Sequence, residues 1–507
     1  MASKRKVGYK CRIATVLFLL LASIAGLITV AVIQSNWSSK EYGTEYGIVI
    51  DSGSSRSNIY LYEWPGEKEN ETGVVTEKLN CKVHGVPISD LKIDPKKDAE
   101  TWEGFKACMN NVSAAIPVKK HKTTPLFLGA TAGMRLLLEK DVKRASQVLD
   151  SLKVYLQSLP FDFQNASVIT GQEEGLYGWI TVNYLMGNFL EKNLWNTYVR
   201  PQTSKTVGSM DLGGASTQIA FAVNEALIGP DYMHVKLYGY PYNVYSHSFL
   251  CYGKNEAEKM VLDKVIQESS DPAYVNNPCY PTGVNVTLKA SLIYDSECTK
   301  KGKNDNSDRQ YYIMVGSGDS EQCERVTKSI FDFTNCSSAH CSFNGVEQPP
   351  VTGEFMAYAG YFYVARALLM NTTTDTITPS EYDEFNNAII RLCDTPWSEL
   401  KMQKEWVSPN YLRTYCFASH YIFTLLTNGY KFDSNTWKDI DFRKEVKNTN
   451  VGWSLGYMLS RSNMIPSELN EVLPLTDPVF AALIFLFSAL TIITVILIFI
   501  ILIRTCY

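Results

Sequence analysis

Residues 208–221 have the sequence GSMDLGGASTQIAF, in which an apolar strand reaches an aspartate, turns through two glycines and becomes apolar again. Residues 47–62, GIVIDSGSSRSNIYLY, repeat this order of residue types, and the two aspartates, Asp51 and Asp211, stand 160 positions apart. Glycine lets the N–H groups of such a turn surround an anion, while a carboxylate at the strand end holds a hydrated cation. Two such hairpins that face each other would grip both ends of a polyphosphate and its metal. An ordinary tight turn also prefers aspartate and glycine, but repetition within one chain favours the phosphate interpretation.

Composition sets the class of protein. The chain has 507 residues, of which 45% are hydrophobic and 20% are charged, so it is globular and long enough for two or three domain-sized cores. The formal net charge is −4, which argues against a nucleic-acid partner, because such partners favour a basic surface.

Two apolar segments, residues 13–33 and 479–503, stand near the ends of the chain. Each is long enough to cross ~30 Å of hydrocarbon as a helix, and flanking positive charge places both tips, residues 1–12 and 504–507, in the cytosol. A cleaved signal peptide is the alternative for the first segment, but the segment exceeds the ~7–15 apolar residues of a signal peptide. We therefore expect two transmembrane helices and an exterior middle, joined to the second helix by a stem over residues 471–478. A tail without a KDEL-type signal is compatible with the plasma membrane.

Glycosylation sequons and cysteines agree with an exterior middle. All sequons lie between the apolar segments, at Asn36, Asn70, Asn111, Asn165, Asn285, Asn335 and Asn371. Asn36 is too near the bilayer for modification, which leaves six predicted sites. Ten of the 12 cysteines also lie in the middle, and an even number in an oxidising compartment predicts disulfides. Close spacing favours the local pairs Cys81–Cys108, Cys336–Cys341 and Cys393–Cys416.

Two strand-to-helix junctions carry candidate catalytic residues. The predicted strand PLFLGA, residues 125–130, leads through Thr131 into a helix, whose N-terminal N–H groups favour an anion. Capping of that helix is the commoner role for such a threonine. At the second junction, Glu173 and Glu174 begin an aromatic helix. They either stabilise the helix dipole or supply a general base that takes a proton from an attacking water, and both interpretations stay open here.

Local patterns predict the remaining elements. They indicate helices over residues 99–116, 131–159 and 176–195, a strand over 167–170, and a disulfide-stapled insertion over 232–342. Aromatic residues are dense over 353–367 and 411–430, where they suit a buried core better than a surface that stacks a flat base. Residues 451–459 close the folded part.

Five segments in this order closely resemble the five apyrase regions of the ecto-nucleoside triphosphate diphosphohydrolases, in particular the cell-surface branch with a membrane helix at each end. They are residues 47–62, 128–137 (LGATAGMRLL), 170–186 (TGQEEGLYGWITVNYLM), 208–221 and 353–364. The resemblance implies an α/β fold with two lobes of the actin, sugar-kinase and Hsp70 type, a duplicated RNase H-like arrangement with the active site in the cleft. Lobe I would cover residues 34–165, with 445–470 returning to it, and lobe II would cover 166–444.

The resemblance also implies roles for individual residues. Asp51 and Asp211 would hold Ca²⁺ or Mg²⁺, and Glu174 would be the general base, which leaves Glu173 to the helix start. The terminal phosphates would contact Ser54, Ser55, Arg56, Gly213, Gly214 and Ala215. Ser216 and Gln218 would orient the attacking water, with Thr131 beside the metal. Candidates for the nucleobase site are Tyr358, Tyr361, Tyr363 and Arg413. Two further disulfides are implied, Cys251–Cys298 and Cys279–Cys323.

The implied activity is extracellular hydrolysis of nucleoside triphosphates and diphosphates, namely ATP, ADP, UTP and UDP, by direct attack of water, which would regulate purinergic signalling. Arg56 replaces a histidine and Ser52 an alanine of several relatives, and neither change removes a required group. One alternative is a sugar-kinase-like phosphotransferase, which needs an acceptor pocket and normally cytosolic ATP. Another is a catalytically silent surface glycoprotein, which the complete set of site residues disfavours. Small residues on the first apolar segment favour a homo-oligomer.

Overall fold

The structure is a computed structural model that describes most of the chain. It describes residues 2–38, 43–66, 68–69, 71–93, 101–193, 198–201, 205–224, 228–271, 273–300, 309–336, 340–370, 377, 381–463, 475 and 477–506, with the backbone alone for 2–12, 35–38, 505 and 506. Its helices are α1 (Ala2–Ser38), α2 (Glu103–Ala115), α3 (Ala132–Lys140), α4 (Val142–Gln157), α5 (Gly171–Met186), α6 (Lys254–Glu268), α7 (Ala290–Tyr294), α8 (Ser320–Lys328), α9 (Gly360–Leu369), α10 (Tyr382–Asp394), α11 (Trp397–Gln403), α12 (Pro409–Leu412), α13 (Tyr415–Thr424), α14 (Trp453–Ser462) and α15 (Asp477–Cys506). Its strands are β1 (Thr44–Ser52), β2 (Ser57–Pro65), β3 (Thr76–Lys82), β4 (Pro125–Ala130), β5 (Asp162–Val168), β6 (Glu191–Lys192), β7 (Tyr198–Val199), β8 (Gly208–Leu212), β9 (Ser216–Ala222), β10 (Tyr232–Leu237), β11 (Tyr240–Leu250), β12 (Tyr274–Asn277), β13 (Asn285–Lys289), β14 (Tyr311–Gly316), β15 (Phe355–Ala359), β16 (Ile440–Phe442), β17 (Glu445–Val446) and β18 (Thr449–Asn450).

The first lobe is built on a five-stranded sheet of order β3-β2-β1-β4-β5. Strands β1, β2 and β3 form an antiparallel meander, while β4 joins β1, and β5 joins β4, in parallel. The apolar centre of β1 and all of β4 are buried, which is expected of strands covered on both faces.

The second lobe repeats this arrangement in a sheet of order β10-β11-β9-β8-β15-β16. Strands β8, β9 and β11 are antiparallel, and β15 and β16 continue from β8 in parallel. When the added edge strand β10 is left out, the strand order and the strand directions of this sheet are the same as those of the first sheet. The two hairpins also match in register, because Asp51 pairs with Asn58 as Asp211 pairs with Gln218. This duplication confirms the predicted two-lobed α/β fold.

A pair of helices lies between the two sheets. Helix α5 packs on β8, β9 and β11, helix α14 packs on β1 and β2, and the two helices pack on each other. Their side chains form one buried cluster with Val49 and Trp64 of the first sheet and Val244 and Met356 of the second. Other helices within residues 44–466 pack on the outer faces of the sheets, where each lobe has its own buried cluster.

Two predicted helices have different bounds in the structure, because side chains cap them. Helix α5 begins at Gly171 rather than at residue 176, since Thr170 and Glu173 form a capping box. It ends at Met186, where Gly187 adopts a left-handed backbone with φ of 82°. The helix predicted over residues 131–159 is divided into α3 and α4, because the Asp141 carboxylate accepts a hydrogen bond from the Arg144 N–H (2.9 Å) and starts a new helix.

Other predicted elements were wrong in extent. Of the helix predicted over 99–116, residues 99 and 100 lie outside the described residues and Glu103–Ala115 form α2, whereas the strand predicted over 167–170 covers Asp162–Val168. The segment 232–342 is only in part an insertion, because β10 and β11 belong to the second sheet. The rest of that segment forms α6, α7, α8 and a small sheet of order β12-β14-β13.

Five disulfides join the described residues, at Cys81–Cys108, Cys251–Cys298, Cys279–Cys323, Cys336–Cys341 and Cys393–Cys416. Three are the pairs that close spacing favours, and two are those that the family resemblance implies. The sequon residues Asn111, Asn165, Asn285 and Asn335 are exposed, whereas Asn70 and Asn371 lie outside the described residues.

The terminal helices α1 and α15 form a unit of their own, apart from residues 44–466. They contain the candidate spans Ile13–Gln34 and Pro478–Arg504, which are long and apolar enough to cross a membrane. Within this unit Thr491 Oγ1 donates to Ser23 Oγ (2.9 Å), and Gly26 lies directly against the ring of Phe487. Small residues therefore let the two helices approach closely.

The contact between α5 and α14 predicts a strong effect of one methyl group. In Gly456→Ala the new Cβ would lie 2.0 Å from the carbonyl oxygen of Tyr177, so we expect a loss of about 1–3 kcal/mol in unfolding free energy. The matched control is Gly452→Ala, since a Cβ there meets nothing within 4 Å and φ is −175°. Thermal unfolding of both variants checks this, and an equal Tm for the two would contradict it.

Candidate active site

The loops of the two hairpins face each other across a cavity of about 1110 Å³. Each loop is closed by one backbone hydrogen bond, from the Gly53 N–H to the Arg56 carbonyl (2.9 Å) and from the Gly213 N–H to the Ser216 carbonyl (3.0 Å). The loops come so near that a Cβ at Gly214 would lie 2.7 Å from Ser54 Oγ. The cavity is lined by all six residues predicted to contact phosphate, Ser54, Ser55, Arg56, Gly213, Gly214 and Ala215.

Three carboxylates line the cavity between the loops. Asp51 and Asp211 stand near the ends of β1 and β8, and Glu174 lies in the first turn of α5. Burial raises the pKa of Asp51 to about 7, and Glu174 also raises it, while Trp453 and Arg56 lower it. Burial, followed by the charges of Glu174 and Asp51, raises the pKa of Asp211 well above its usual value. Each carboxylate therefore opposes the ionisation of its neighbours.

A hydrogen-bond network holds Glu174 in place. Its Oε2 accepts from Arg135 Nη2 (2.5 Å) and from Gln218 Nε2 (3.2 Å). The same amide donates to Ser216 Oγ (2.7 Å) and Ser248 Oγ (2.8 Å), and Arg135 also reaches Ser216 (3.2 Å). Burial raises the pKa of Glu174, and the Arg135 guanidinium lowers it in part.

Sequence reasoning missed Arg135, although it stands in the second quoted apyrase segment, LGATAGMRLL. A cation among apolar residues was the available signal. By contrast, Glu173 has the helix-capping role left to it, because its Oε2 accepts from the Thr170 N–H (2.8 Å).

Thr131 stands at the N-cap position of α3, but its side chain makes no capping hydrogen bond. Its backbone N–H donates to the Ser52 carbonyl (3.0 Å), which fixes the residue beside the end of β1. Thr131 also lines the cavity, so its hydroxyl is available to a bound group.

The three carboxylates fit a divalent cation. Carboxylate oxygens and water are the ligands that Ca²⁺ and Mg²⁺ prefer, and a positive charge between mutually repelling, desolvated carboxylates offsets the cost of ionising them. The oxygens of Asp51, Asp211 and Glu174 do not all lie within 4.8 Å of one another, so a cation between them would keep water ligands; among the described residues, only Cys323, Cys416 and His420 meet that distance. Both sulfurs belong to disulfides, however, and are therefore not thiolate ligands.

The far end of the cavity differs from the predicted nucleobase site. Tyr358 and Tyr361 are buried in the core, where their hydroxyls pair with Ser209 Oγ (3.1 Å) and Thr217 Oγ1 (3.2 Å). These two candidates were wrong, because β15 is buried on both faces and Tyr361 lies on the core-facing side of α9. Arg413 is not part of the cavity wall either, and it bonds to Asn410 Oδ1 (3.2 Å) instead.

Tyr363 does line this end of the cavity, together with residues that the sequence did not single out. They are Lys254, Arg366, Trp406, Tyr411 and Tyr415. Tyr363 and Tyr411 are 46% and 58% exposed, so their rings are open to a ligand. The Arg366 guanidinium lies 4.7 Å from the Trp406 ring centre, which holds that wall together.

Comparison with known proteins gives a consistent set of relatives. Residues 38–474 match the model of the GDA1/CD39 (nucleoside phosphatase) family. Ectonucleoside triphosphate diphosphohydrolase 3 of Homo sapiens is 44% identical over 490 residues, which are 96% of this chain and 91% of the relative. Ectonucleoside triphosphate diphosphohydrolase 1 of Mus musculus is 40% identical over a region that covers 93% of this chain and 91% of the relative's length. A crystal structure of nucleoside triphosphate hydrolases from Neospora caninum shares the fold, with a TM-score of 0.58 at 15% identity over 85% of this chain and 95% of that chain.

The Glu174 network predicts a pH-dependent effect of Arg135→Met. Without the guanidinium the pKa of Glu174 rises further, so the folded protein binds a proton at a pH where the unfolded chain has released it. Its stability relative to the parent therefore recovers as the pH falls, and we expect a loss of about 3 kcal/mol at pH 8 and clearly less at pH 5.

Thermal unfolding in a chelating buffer at both pH values measures the difference. The matched control is Arg144→Met, because that guanidinium donates to the carbonyls of Ser89 and Leu91 and to no described carboxylate. A loss for Arg135→Met that is the same at pH 5 and pH 8 would be incompatible with a charge-based role.

Proposed function

This chain belongs to the GDA1/CD39 (nucleoside phosphatase) family, and we propose that it removes terminal phosphates from nucleoside triphosphates and diphosphates outside the cell. The observation that carries the proposal is the close approach of the two glycine-turn loops at Gly214 beside the buried carboxylate of Glu174. Phosphoryl transfer depends on in-line placement and charge stabilisation, and these two features supply both.

The two loops would bind the phosphates from opposite sides. On one side are the hydroxyls of Ser54 and Ser55, and on the other the backbone of residues 213–215. Turn N–H groups form anion-binding concavities, and guanidinium binds phosphate oxygens bidentately, which gives Arg56 a role at the terminal phosphate. The two loops touch at Gly214, where a Cβ would lie 2.7 Å from Ser54 Oγ and 3.0 Å from Ser55 Oγ, so both loops lie within reach of one phosphate group.

Glu174 would act as the general base. Burial raises the pKa of Glu174 and the Arg135 guanidinium lowers it, so these two neighbours of the carboxylate set its strength as a base. The Gln218 amide donates to the Glu174 carboxylate and to Ser216 Oγ. The remaining polar atoms of Gln218 and Ser216 would orient the water that attacks phosphorus. Proton transfer from that water to Glu174 Oε1 or Oε2 needs no covalent phosphoenzyme.

Asp51 and Asp211 would hold a divalent cation, Ca²⁺ or Mg²⁺, with Thr131 beside it. When bound, the cation neutralises the negative charge that develops on the phosphate oxygens. The chain's own part is to place both carboxylates at matching positions of the duplicated hairpins.

Tyr363 and Tyr411 would stack the nucleobase at the other end of the cavity. Their exposed rings belong to α9 and α12, two elements of the second lobe. Stacking tolerates different bases, since every base has an aromatic face, and it therefore supports ATP, ADP, UTP and UDP as substrates.

The proposed location is the plasma membrane, with both termini cytosolic and residues 34–478 outside. The five disulfides and the exposed sequon residues support an exterior, oxidising compartment for residues 44–466. The helix pair α1 and α15 supports membrane anchoring, and the small residues Ala22 and Ala25, which are exposed on α1, suit association into a homo-oligomer.

The decisive variant for the proposed reaction is Glu174→Gln. We expect a fall of about 10²–10⁴ in kcat for release of phosphate from ATP and ADP, because the amide cannot accept the proton. The adjacent Glu173→Gln is the control, since Glu173 serves the capping box and its replacement by glutamine keeps that hydrogen bond.

Phosphate release is measured without any acceptor molecule, with nucleotide applied to intact cells. Full activity of Glu174→Gln would refute its role as base. Phosphate transfer that requires an added sugar would favour a kinase, and nucleotide binding without turnover in the parent chain would favour a silent glycoprotein.

The cation site predicts a second loss of function. Asp211→Asn should abolish the rise in Tm that the parent chain shows on addition of Ca²⁺ or Mg²⁺, and should reduce the cation-dependent rate, because one of the two anionic ligands is missing. The control is Asp150→Asn, which removes an equal charge from an exposed position. An unchanged cation-induced shift in Asp211→Asn would argue against this site.

A further inference from the structure

The small sheet β12-β14-β13 in the second lobe has one buried and one exposed face. Side chains alternate along a strand, so Tyr312 and Met314 of β14 point into the core, while Tyr311, Ile313 and Val315 point outward. The neighbouring strands follow the same alternation, with Val275 of β12 and Leu288 of β13 buried. The two faces of this sheet are therefore well defined.

The outward face carries more apolar surface than a solvated sheet needs. Tyr274 is 61% exposed, Tyr311 is 49% exposed and Val315 is 37% exposed. Ile313 lies between them, since Tyr274 pairs with Ile313 across β12 and β14. Exposed apolar residues that lie next to one another form a patch that a bound group can cover. We call these four residues the apolar strip.

A glycosylation sequon lies at one end of the apolar strip. Asn285-Val286-Thr287 is part of β13, and Asn285 pairs directly with Val315 while Thr287 pairs with Ile313. Directly opposed residues of antiparallel strands have Cβ atoms about 4.5–5.5 Å apart on the same face. Asn285 and Thr287 are exposed, whereas Val286 faces the core. An acceptor nitrogen therefore stands next to the strip and on the same side of the sheet.

We propose that an N-linked glycan on Asn285 lies across β14 and covers the apolar strip. The glycan starts beside Val315, and the far strand β12 is two strand spacings away, about 10 Å, within the length of its core sugars. A sugar ring has polar edges and apolar faces. Its apolar faces therefore cover the side chains of valine, isoleucine and tyrosine, while its polar edges stay hydrogen-bonded to water. The inference rests on the exterior placement proposed above.

The position of Asn285 argues for the chain's own glycan rather than a second protein chain. A bulky, solubilising group attached within the face would block a protein surface from seating on it. The sequon on helix α2 offers a contrast, because Asn111 has the small residues Ala107 and Ala114 as exposed neighbours on the helix. A glycan there has no apolar strip to cover.

The experiment uses the full chain, produced in a glycosylating host and held in lipid nanodiscs. Mass spectrometry first measures glycan occupancy at each sequon. Hydroxyl-radical footprinting then measures the modification rate of Tyr274, with Tyr240 (38% exposed) as internal reference. We compare Thr287→Ala, which destroys the sequon, with Thr287→Ser, which keeps it.

The expected result is glycan at Asn285, with a modification rate of Tyr274 that is about twofold higher in Thr287→Ala than in Thr287→Ser or the parent. The Tyr240 rate stays unchanged, and the Tyr311 rate rises less, because Tyr311 lies further along β14 from Val315. Should Thr287→Ala fail to fold, endoglycosidase trimming of the folded parent gives the same test and should also raise the Tyr274 rate.

Other outcomes overturn the proposal. Occupied Asn285 with an unchanged Tyr274 rate after both treatments means that the glycan points away from the sheet. Unmodified Asn285 with glycans at other sequons refutes the proposal but keeps the exterior placement, whereas no glycan at any sequon refutes both. Protection of Tyr274 that persists in Thr287→Ala and disappears on dilution assigns the strip to a second copy of the chain.

Discussion

The packing of α5 against α14 between the two sheets is the constraint on which the rest of the structure depends. At Gly456 the helices approach so closely that their backbones touch, and their apolar side chains bind a face of each sheet. The first turn of α5 carries Glu174, and the first turn of α14 carries Trp453, which also lines the cavity. The hydrophobic packing of the two helices therefore fixes the position of the Glu174 carboxylate in the cavity. The same packing keeps the two hairpin loops facing each other.

The same packing explains why the cavity tolerates so much negative charge. Burial raises the pKa of Asp51 and Asp211, Glu174 raises both further, and Asp51 adds to the rise at Asp211; such shifted carboxylates cluster at functional sites. Arg135 compensates one of the three directly. The negative charge that Arg135 does not compensate makes the site suited to a divalent cation. It also suits a phosphate chain that arrives with its own counterion.

Duplication divides the work between the lobes. Each hairpin supplies one aspartate and one glycine turn at matching register, so the phosphate end of the cavity has approximate symmetry. The nucleobase end has none, because Tyr363 and Tyr411 come from helices of the second lobe alone. The small sheet with Asn285 is also confined to that lobe. In the proposed function, parts of the second lobe outside the duplicated core would thus carry substrate-specific and surface roles, while the shared core would carry the chemistry.

The sequence by itself determined the paired hairpins, the five apyrase segments, the membrane spans and the local disulfides, since each is written in residue types at short range. At the start of the aromatic helix it left Glu173 and Glu174 open between helix capping and a general base, and only the family resemblance pointed to Glu174. Only the tertiary structure decided that Arg135 meets Glu174, that Tyr358 and Tyr361 belong to the core, and that Tyr411 faces the cavity. An aromatic or a cation in a helix faces whatever packs against that side, and the packing partners are distant in the chain. Periodicity gives the faces of an element, but the fold alone determines which face borders the cavity.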